Sequence, residues 1–176
     1  MITLHLARHG QTEENLAHIF QGHLPGTLTE EGKNQARELG EKLSTVPLDA
    51  IISSDLKRTT DTVKIAMGKR DIPWATTPLL REIDWGVWTG LRINSVDTNR
   101  PPQSVETVEQ LYERAGNFLQ FLHSHYEGKR VLVVGHGQIN RCIQAHILRL
   151  GTDRLRTIPH MENAEMRTFI LPDPED

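Results

Sequence analysis

Cysteine is nearly absent from this chain of 176 residues: Cys142 stands alone, so no disulfide can form within it. A single thiol fits a reducing compartment. Long apolar runs are missing too. No stretch approaches the ~20 residues that a membrane-spanning helix needs. The apolar alternation at the start is broken by Thr3 and His5, with no basic segment before it, which is unlike a secretory signal. A cytoplasmic protein is the expectation. An excess of positive charge is also lacking. Lys and Arg number 20 against 23 Asp and Glu, for a formal charge of −3. That argues against nucleic acid as a partner. It leaves room for a small anion held by a local cluster of cations.

What is present reads as one globular domain over residues 1–176, with 37% hydrophobic and 24% charged residues. Ile2, Leu4 and Leu6 alternate, which predicts a strand over 1–7. Thr12 to Leu16 begins a short helix or a loop. Gly22, Pro25 and Gly26 mark a loop. Thr29 then caps a helix whose apolar stripe is Ala36, Leu39 and Leu43. Residues 49–53 form a short buried strand, and Ser54 or Asp55 caps the next helix. Residues 74–77 make a further strand. Val105–His125 is a long helix with Val108, Leu111, Tyr112, Ala115, Phe118, Leu119 and Leu122 on its apolar side. Residues 130–134 are a central strand, Ile139–Leu150 a helix ended by Gly151, and 167–171 a last strand before a frayed tail. Strands alternating with helices predict a three-layer α/β/α sandwich with a largely parallel sheet. There is no internal repeat.

In open sheets of this kind, sites lie beyond the carboxyl ends of strands. The first strand ends in Arg8-His9-Gly10, the second near Ser53-Ser54-Asp55 with Arg58 close behind, and the fourth in Gly135-His136-Gly137 opening a helix. Two imidazoles, two guanidiniums and a helix start suit a phosphoryl group: Arg binds its oxygens bidentately, helix amides accept an anion, and imidazole attacks phosphorus. Each piece alone has an ordinary alternative. An Arg-His pair can simply end a strand, a Gly-His-Gly turn can be only a turn, and Arg58 can be a solvated helix residue.

LARHGQTEEN, ISSDLKRTTDTV, LLREIDWGVWTG and VVGHG occur in that order. Together they resemble the motifs of the histidine phosphatase superfamily, the phosphoglycerate mutase-like family, over almost the whole chain. The resemblance implies that His9 is the nucleophile and becomes a phosphohistidine. It implies that Arg8, Arg58 and His136 bind the transferring phosphoryl group, and that Glu82 is general acid and then base. Asn15, Gln21, Gly22 and the amide of Gly137 are implied to line the substrate. No cofactor or metal is implied. Arg8 and Arg58 should keep His9 unprotonated, and burial beside Trp85 or Trp88 should help Glu82 hold its proton. Asp84 competes as the acid. His18, His23 and His160 are candidates for the rim, His123 and His125 for the surface, and Cys142 for helix packing.

Where many relatives carry a longer cap between positions corresponding to Gly90 and Glu106, this chain has only LRINSVDTNRPPQSVET. Such a short cap region implies an open site and favours hydrolysis over transfer. The resemblance lies nearest to the small alpha-ribazole and broad-specificity phosphatases. The expected partner is a small phosphorylated metabolite. Phosphoglycerate mutase-type transfer, a protein phosphohistidine phosphatase and a non-catalytic phospho-ligand-binding module are the alternatives.

Overall fold

The computed structural model describes residues 1–174; the last two residues of the expected frayed tail lie outside the described residues. In chain order the elements are β1 (Ile2–Arg8), α1 (Glu13–Leu16), α2 (Glu30–Leu43), β2 (Ala50–Ser54), α3 (Lys57–Met67), β3 (Trp74–Thr77), α4 (Val108–Tyr126), β4 (Arg130–Gly135), α5 (Gly137–Ile147) and β5 (Met166–Leu171). The strands form one sheet in the order β3-β2-β4-β1-β5. Every pairing is parallel except that of β5, which runs antiparallel along the edge of β1.

Alternation along the strands builds a core on each face. Leu4, Leu6, Ile52, Val131 and Val133 pack against Leu111, Phe118, Leu122 and Ile143 of α4 and α5. Ala7, Ile51, Leu132 and Val134 point the other way, toward Leu39, Leu43 and Val63 of α2 and α3. With both faces covered, β2 and the apolar run of β4 are wholly buried, as four apolar residues in a row predict for β4. This is the three-layer sandwich expected. No helix among the described residues is long and apolar enough to cross a membrane.

Several boundaries differ from the sequence reading, each for a local reason. Asp55 caps nothing: Leu56 is the N-cap of α3 and has no side-chain cap, while Asp55 makes a bidentate pair with Arg81 at 2.8 and 2.7 Å. Ser54 instead accepts the N–H of Leu56. The long helix begins at Val108 because Thr107 and Gln110 form a capping box. Val105 precedes it and packs with Phe20 and Trp88, and Val108 is exposed rather than on the apolar side. α5 starts two residues early, at Gly137, and stops at Ile147, short of Gly151. Thr12 to Leu16 resolves as a helix of one turn, boxed by Thr12 and Asn15. The short cap region holds one 3-10 turn, Ile93–Ser95, and no α-helix.

The register of β1 on β4 pairs Arg8 with Gly135. The residues that follow each strand, His9 and His136, are therefore neighbours, although 127 positions separate them in the chain.

Candidate active site

His9 and His136 meet edge to face, with ring centroids 5.1 Å apart. His9 is 2% exposed. Its Nδ1 donates to the carbonyl of Gly10 at 2.7 Å. That bond places the proton on Nδ1 and leaves the Nε2 lone pair free, the form a nucleophile needs. Burial, then the charges of Arg58 and Arg8, hold the imidazole well below its ordinary range of protonation. The backbone around it is fixed on both sides: His9 N–H bonds Gly135, and its carbonyl takes the N–H of Ala164. The turn closes tightly on α2. A Cβ on Gly10 would lie 2.5 Å from the carbonyl oxygen of Gly32, so this approach requires glycine.

Arg58, on the first turn of α3, is 1% exposed, not a solvated helix residue. Its Nη2 donates to the carbonyl of Gly22 at 2.8 Å, and its Nη1 to that of Leu24. Gly22 adopts φ 49°, a conformation suited to glycine, and so turns its carbonyl onto the guanidinium. Arg8 donates from Nη1 to the carbonyl of Met161 at 2.8 Å and lies 3.3 Å from His160 Nε2. Burial lowers the pKa of both guanidiniums, that of Arg58 to about 10, and both remain charged near neutrality. His136 shares its Nε2 with Ser54 Oγ at 2.8 Å and Thr59 Oγ1 at 3.2 Å. Burial, then Arg58, His9 and Arg8, keep it neutral. What remains is telling: Arg8 Nε, Arg58 Nε and His136 Nδ1 are buried without a hydrogen-bond partner among the described residues. Orphaned buried donors are costly, about 1–3 kcal/mol each. Three of them beside one imidazole describe a place for an anion.

Glu82 sits after the 3-10 turn Pro78–Leu80. Its Oε1 accepts the N–H groups of Ile83 at 3.0 Å and Ile139 at 3.1 Å, and its Oε2 that of Gln138 at 3.0 Å. Three backbone donors thus face its oxygens. Asp84, the competing acid, spends Oδ1 on the N–H of Gly86, and its side chain is 50% exposed. The loop of Glu82 is clamped by a pair the sequence reading had not joined. Arg114 on α4 donates to the carbonyls of Leu79, Arg81 and Glu82 and forms a bidentate pair with Glu106. Glu106 in turn accepts the N–H of Asp84. In the sequence Arg114 is one charge on an amphipathic helix, and no local signal marks it.

The remaining expected residues fall as follows. Asn15 uses its carbonyl oxygen to cap α1 and to accept from Asn163, whose amide also reaches the carbonyl of His9. Gln21 is buried and accepts from Thr12 Oγ1 at 3.0 Å. Gly137 opens α5 against Arg8 and His160; its N–H is a first-turn donor that the helix itself cannot satisfy. Of the rim histidines, His160 touches Arg8, and His23 donates to the carbonyl of Glu82 at 2.9 Å. His18 is exposed with φ 53°, and among the described residues its hydrogen bonds are those of its backbone, to Asn15 and Ile93. His123 pairs with Glu127. Cys142 is buried in the core and its thiol is pushed up to about 12. Phe20 packs on Trp85 and Trp88 at 4.6 and 5.5 Å. Beyond them lies a cavity of about 710 Å³, walled by Ile83, Trp85, Trp88, Val105 and Gln138. Two of its lining residues, Ile83 and Gln138, are also the ones whose amides bind Glu82. No group of three or more His, Cys, Asp and Glu among the described residues is arranged to hold a metal ion.

Residues 4–173 match the histidine phosphatase superfamily (branch 1). A probable phosphoglycerate mutase GpmB of Enterobacter sp. (strain 638) is 32% identical over 165 residues, covering 85% of this chain and 76% of its own. An adenosylcobalamin/alpha-ribazole phosphatase of Salmonella typhimurium is 29% identical, covering 84% and 80%. The solved structure of YhfR from Bacillus stearothermophilus superposes with a TM-score of 0.92 at 30% identity, over 98% of this chain and 92% of that one. The strand-end histidines and this match across nearly the whole length lead to one assignment: the chain belongs to the histidine phosphatase superfamily.

Proposed function

We propose that the protein is a phosphomonoesterase that carries the phosphoryl group transiently on His9, with residues 1–176 acting as one domain on a small phosphorylated metabolite in the cytoplasm. The observation that supports it most is the set of three buried nitrogens without a partner among the described residues, Arg8 Nε, Arg58 Nε and His136 Nδ1, around a neutral imidazole whose Nδ1 is already spent on Gly10.

His9 Nε2 attacks phosphorus as the bond to the leaving oxygen breaks. Charge on the equatorial oxygens is met by Arg8, Arg58 and His136, with the amide of Gly137 as a further donor. Asn15 and Gln21 line the opening loop, and Gly22 contributes by aiming Arg58. Glu82 protonates the leaving oxygen. Water then attacks the phosphohistidine as Glu82 takes its proton, the P–N bond breaks, and inorganic phosphate leaves. The cations are supplied by the chain, so no step calls for a metal. The short cap region between Gly90 and Glu106 leaves water free access, which favours hydrolysis over phosphoryl transfer between substrates.

Turnover of p-nitrophenyl phosphate by wild type and His9→Ala tests this. Loss of activity in the variant, with a phosphoryl group trapped on His9 of the wild type, is expected. Full activity of His9→Ala, or abolition of wild-type activity by chelators, would overturn it. Isomerisation of 3-phosphoglycerate faster than its hydrolysis would favour the mutase reading.

A further inference from the structure

α5 carries a second cation into the neighbourhood of Glu82. Gln138 and Arg141 are three apart and share a face of that helix. The N–H of Gln138 binds the Glu82 carboxylate, so this face begins on the leaving-group side of the site. Arg141 has its Nε buried with no hydrogen-bond partner. Among the described residues, neither Arg141 nor Arg156 has a carboxylate oxygen within the 4.0 Å of a salt bridge. The two arginines line one cavity of about 450 Å³ together with Gln138 and Thr152. This cavity shares Gln138, Val108, Glu109 and Leu155 with the larger one walled by Trp85 and Trp88. Glu109 and Asp153 also line it, and both are exposed, as is Arg156, while Arg141 is partly buried. The positive charge of Arg141 also acts on His160, whose ring touches Arg8.

A buried, unpaired guanidinium nitrogen is expensive unless something occupies it. The helix rises ~1.5 Å per residue, so the backbone of Arg141 lies about 7.5 Å along α5 from that of His136. A group a few bonds away from the transferring phosphoryl would reach it. We propose that Arg141, supported by Arg156, is a second anion subsite that selects phosphomonoesters whose leaving group carries a further anionic group, a carboxylate or a second phosphate. This rests on the phosphomonoesterase reading and narrows its substrate class.

The test is kcat/KM of the full chain on three esters: 3-phosphoglycerate for the carboxylate, fructose 1,6-bisphosphate for the phosphate, and phenyl phosphate for no second anion. One of the two anionic esters is expected to be preferred, and which one identifies the anion. Arg141→Met should lower the ratio of that ester to phenyl phosphate about tenfold, as expected for one charge-assisted contact, with most of the change in KM. Arg141→Glu should lower it further. If Arg141→Met does not fold, Arg141→Lys and Arg156→Met report on the same ratio. A ratio unchanged in the variants, or no preference in the wild type, would sink the subsite. Absence of any His9-dependent turnover of phenyl phosphate would instead sink the phosphomonoesterase reading on which it rests.

Discussion

Glu82 accepts the backbone N–H of Gln138 at 3.0 Å and thereby caps the helix that opens at His136. His136 occupies the N-cap position but makes no capping bond, because its ring is turned to Ser54 and Thr59. A carboxylate from a distant loop does that work instead. The proposed acid and the proposed phosphoryl ligand are thus parts of one structural unit, and moving either disturbs the other.

Glu82→Gln should accordingly have two effects. kcat on phenyl phosphate is expected to fall by about 10²- to 10⁴-fold, the range for a missing general acid. Stability should also fall, by about 1 kcal/mol, because an amide NH₂ must now face one of three N–H groups that need an acceptor. Steady-state kinetics and urea unfolding on the same preparation check both.

The hydroxyls of Ser54 and Thr59 fix the orientation of His136. Removing both, as Ser54→Ala with Thr59→Val, should lower kcat/KM by up to about 100-fold, the cost of a misplaced donor, and lower stability by about 1–3 kcal/mol because the buried N–H of Leu56 loses its acceptor. The ¹⁵N shifts of His136, followed by NMR, should move with the loss of activity. Unchanged kinetics would show that these hydroxyls do not orient the ring.

Arg114 and Glu106 are both mostly buried, with side chains 19% and 15% exposed. Arg114→Met strands the carboxylate and frees the carbonyls of Leu79, Arg81 and Glu82. A loss of about 2–3 kcal/mol is expected, somewhat less than for a fully buried pair. kcat should drop as well, since the Glu82 loop loses its clamp. Adding Glu106→Gln should recover part of the stability, because the uncompensated charge goes with it. Additive losses in the double variant would count against the clamp.

Stability should depend on pH in a definite direction. His9 and His136 are held neutral in the folded chain, chiefly by burial. In the unfolded chain each takes up a proton below about 6.5. The unfolded state therefore binds more protons as pH falls, and folding loses stability below about pH 6.5 by up to ~1.4 kcal/mol per pH unit for each histidine. The contribution is fully present above that pH. Urea midpoints between pH 7.5 and 5 measure the slope, and His136→Gln should flatten it.

Much of the fold was legible because it depends on local patterns. The period of two in β1, the unbroken apolar run of β4, the Thr29 cap and the Ala36–Leu39–Leu43 stripe all appear where expected. The same holds for the strand ends that carry His9 and His136. The errors cluster where a side chain had a distant partner. Asp55 looked like a cap and is bound to Arg81; Ser54 looked like a cap and serves His136. Arg114 was invisible because its work is done on carbonyls more than 30 residues away.

The sequence by itself determined the elements, their layering and the chemical types brought to the strand ends, since alternation, helical stripes and turn residues act over a few neighbours. Tertiary structure alone decided the pairing of Arg8 with Gly135 and the proton on His9 Nδ1. It also turned Arg58 onto the Gly22 carbonyl, set Glu82 at the start of α5, and left Arg8 Nε, Arg58 Nε and His136 Nδ1 buried without a partner among the described residues. Those depend on the register of strands distant in sequence and on what burial does to charge, and no local pattern encodes either.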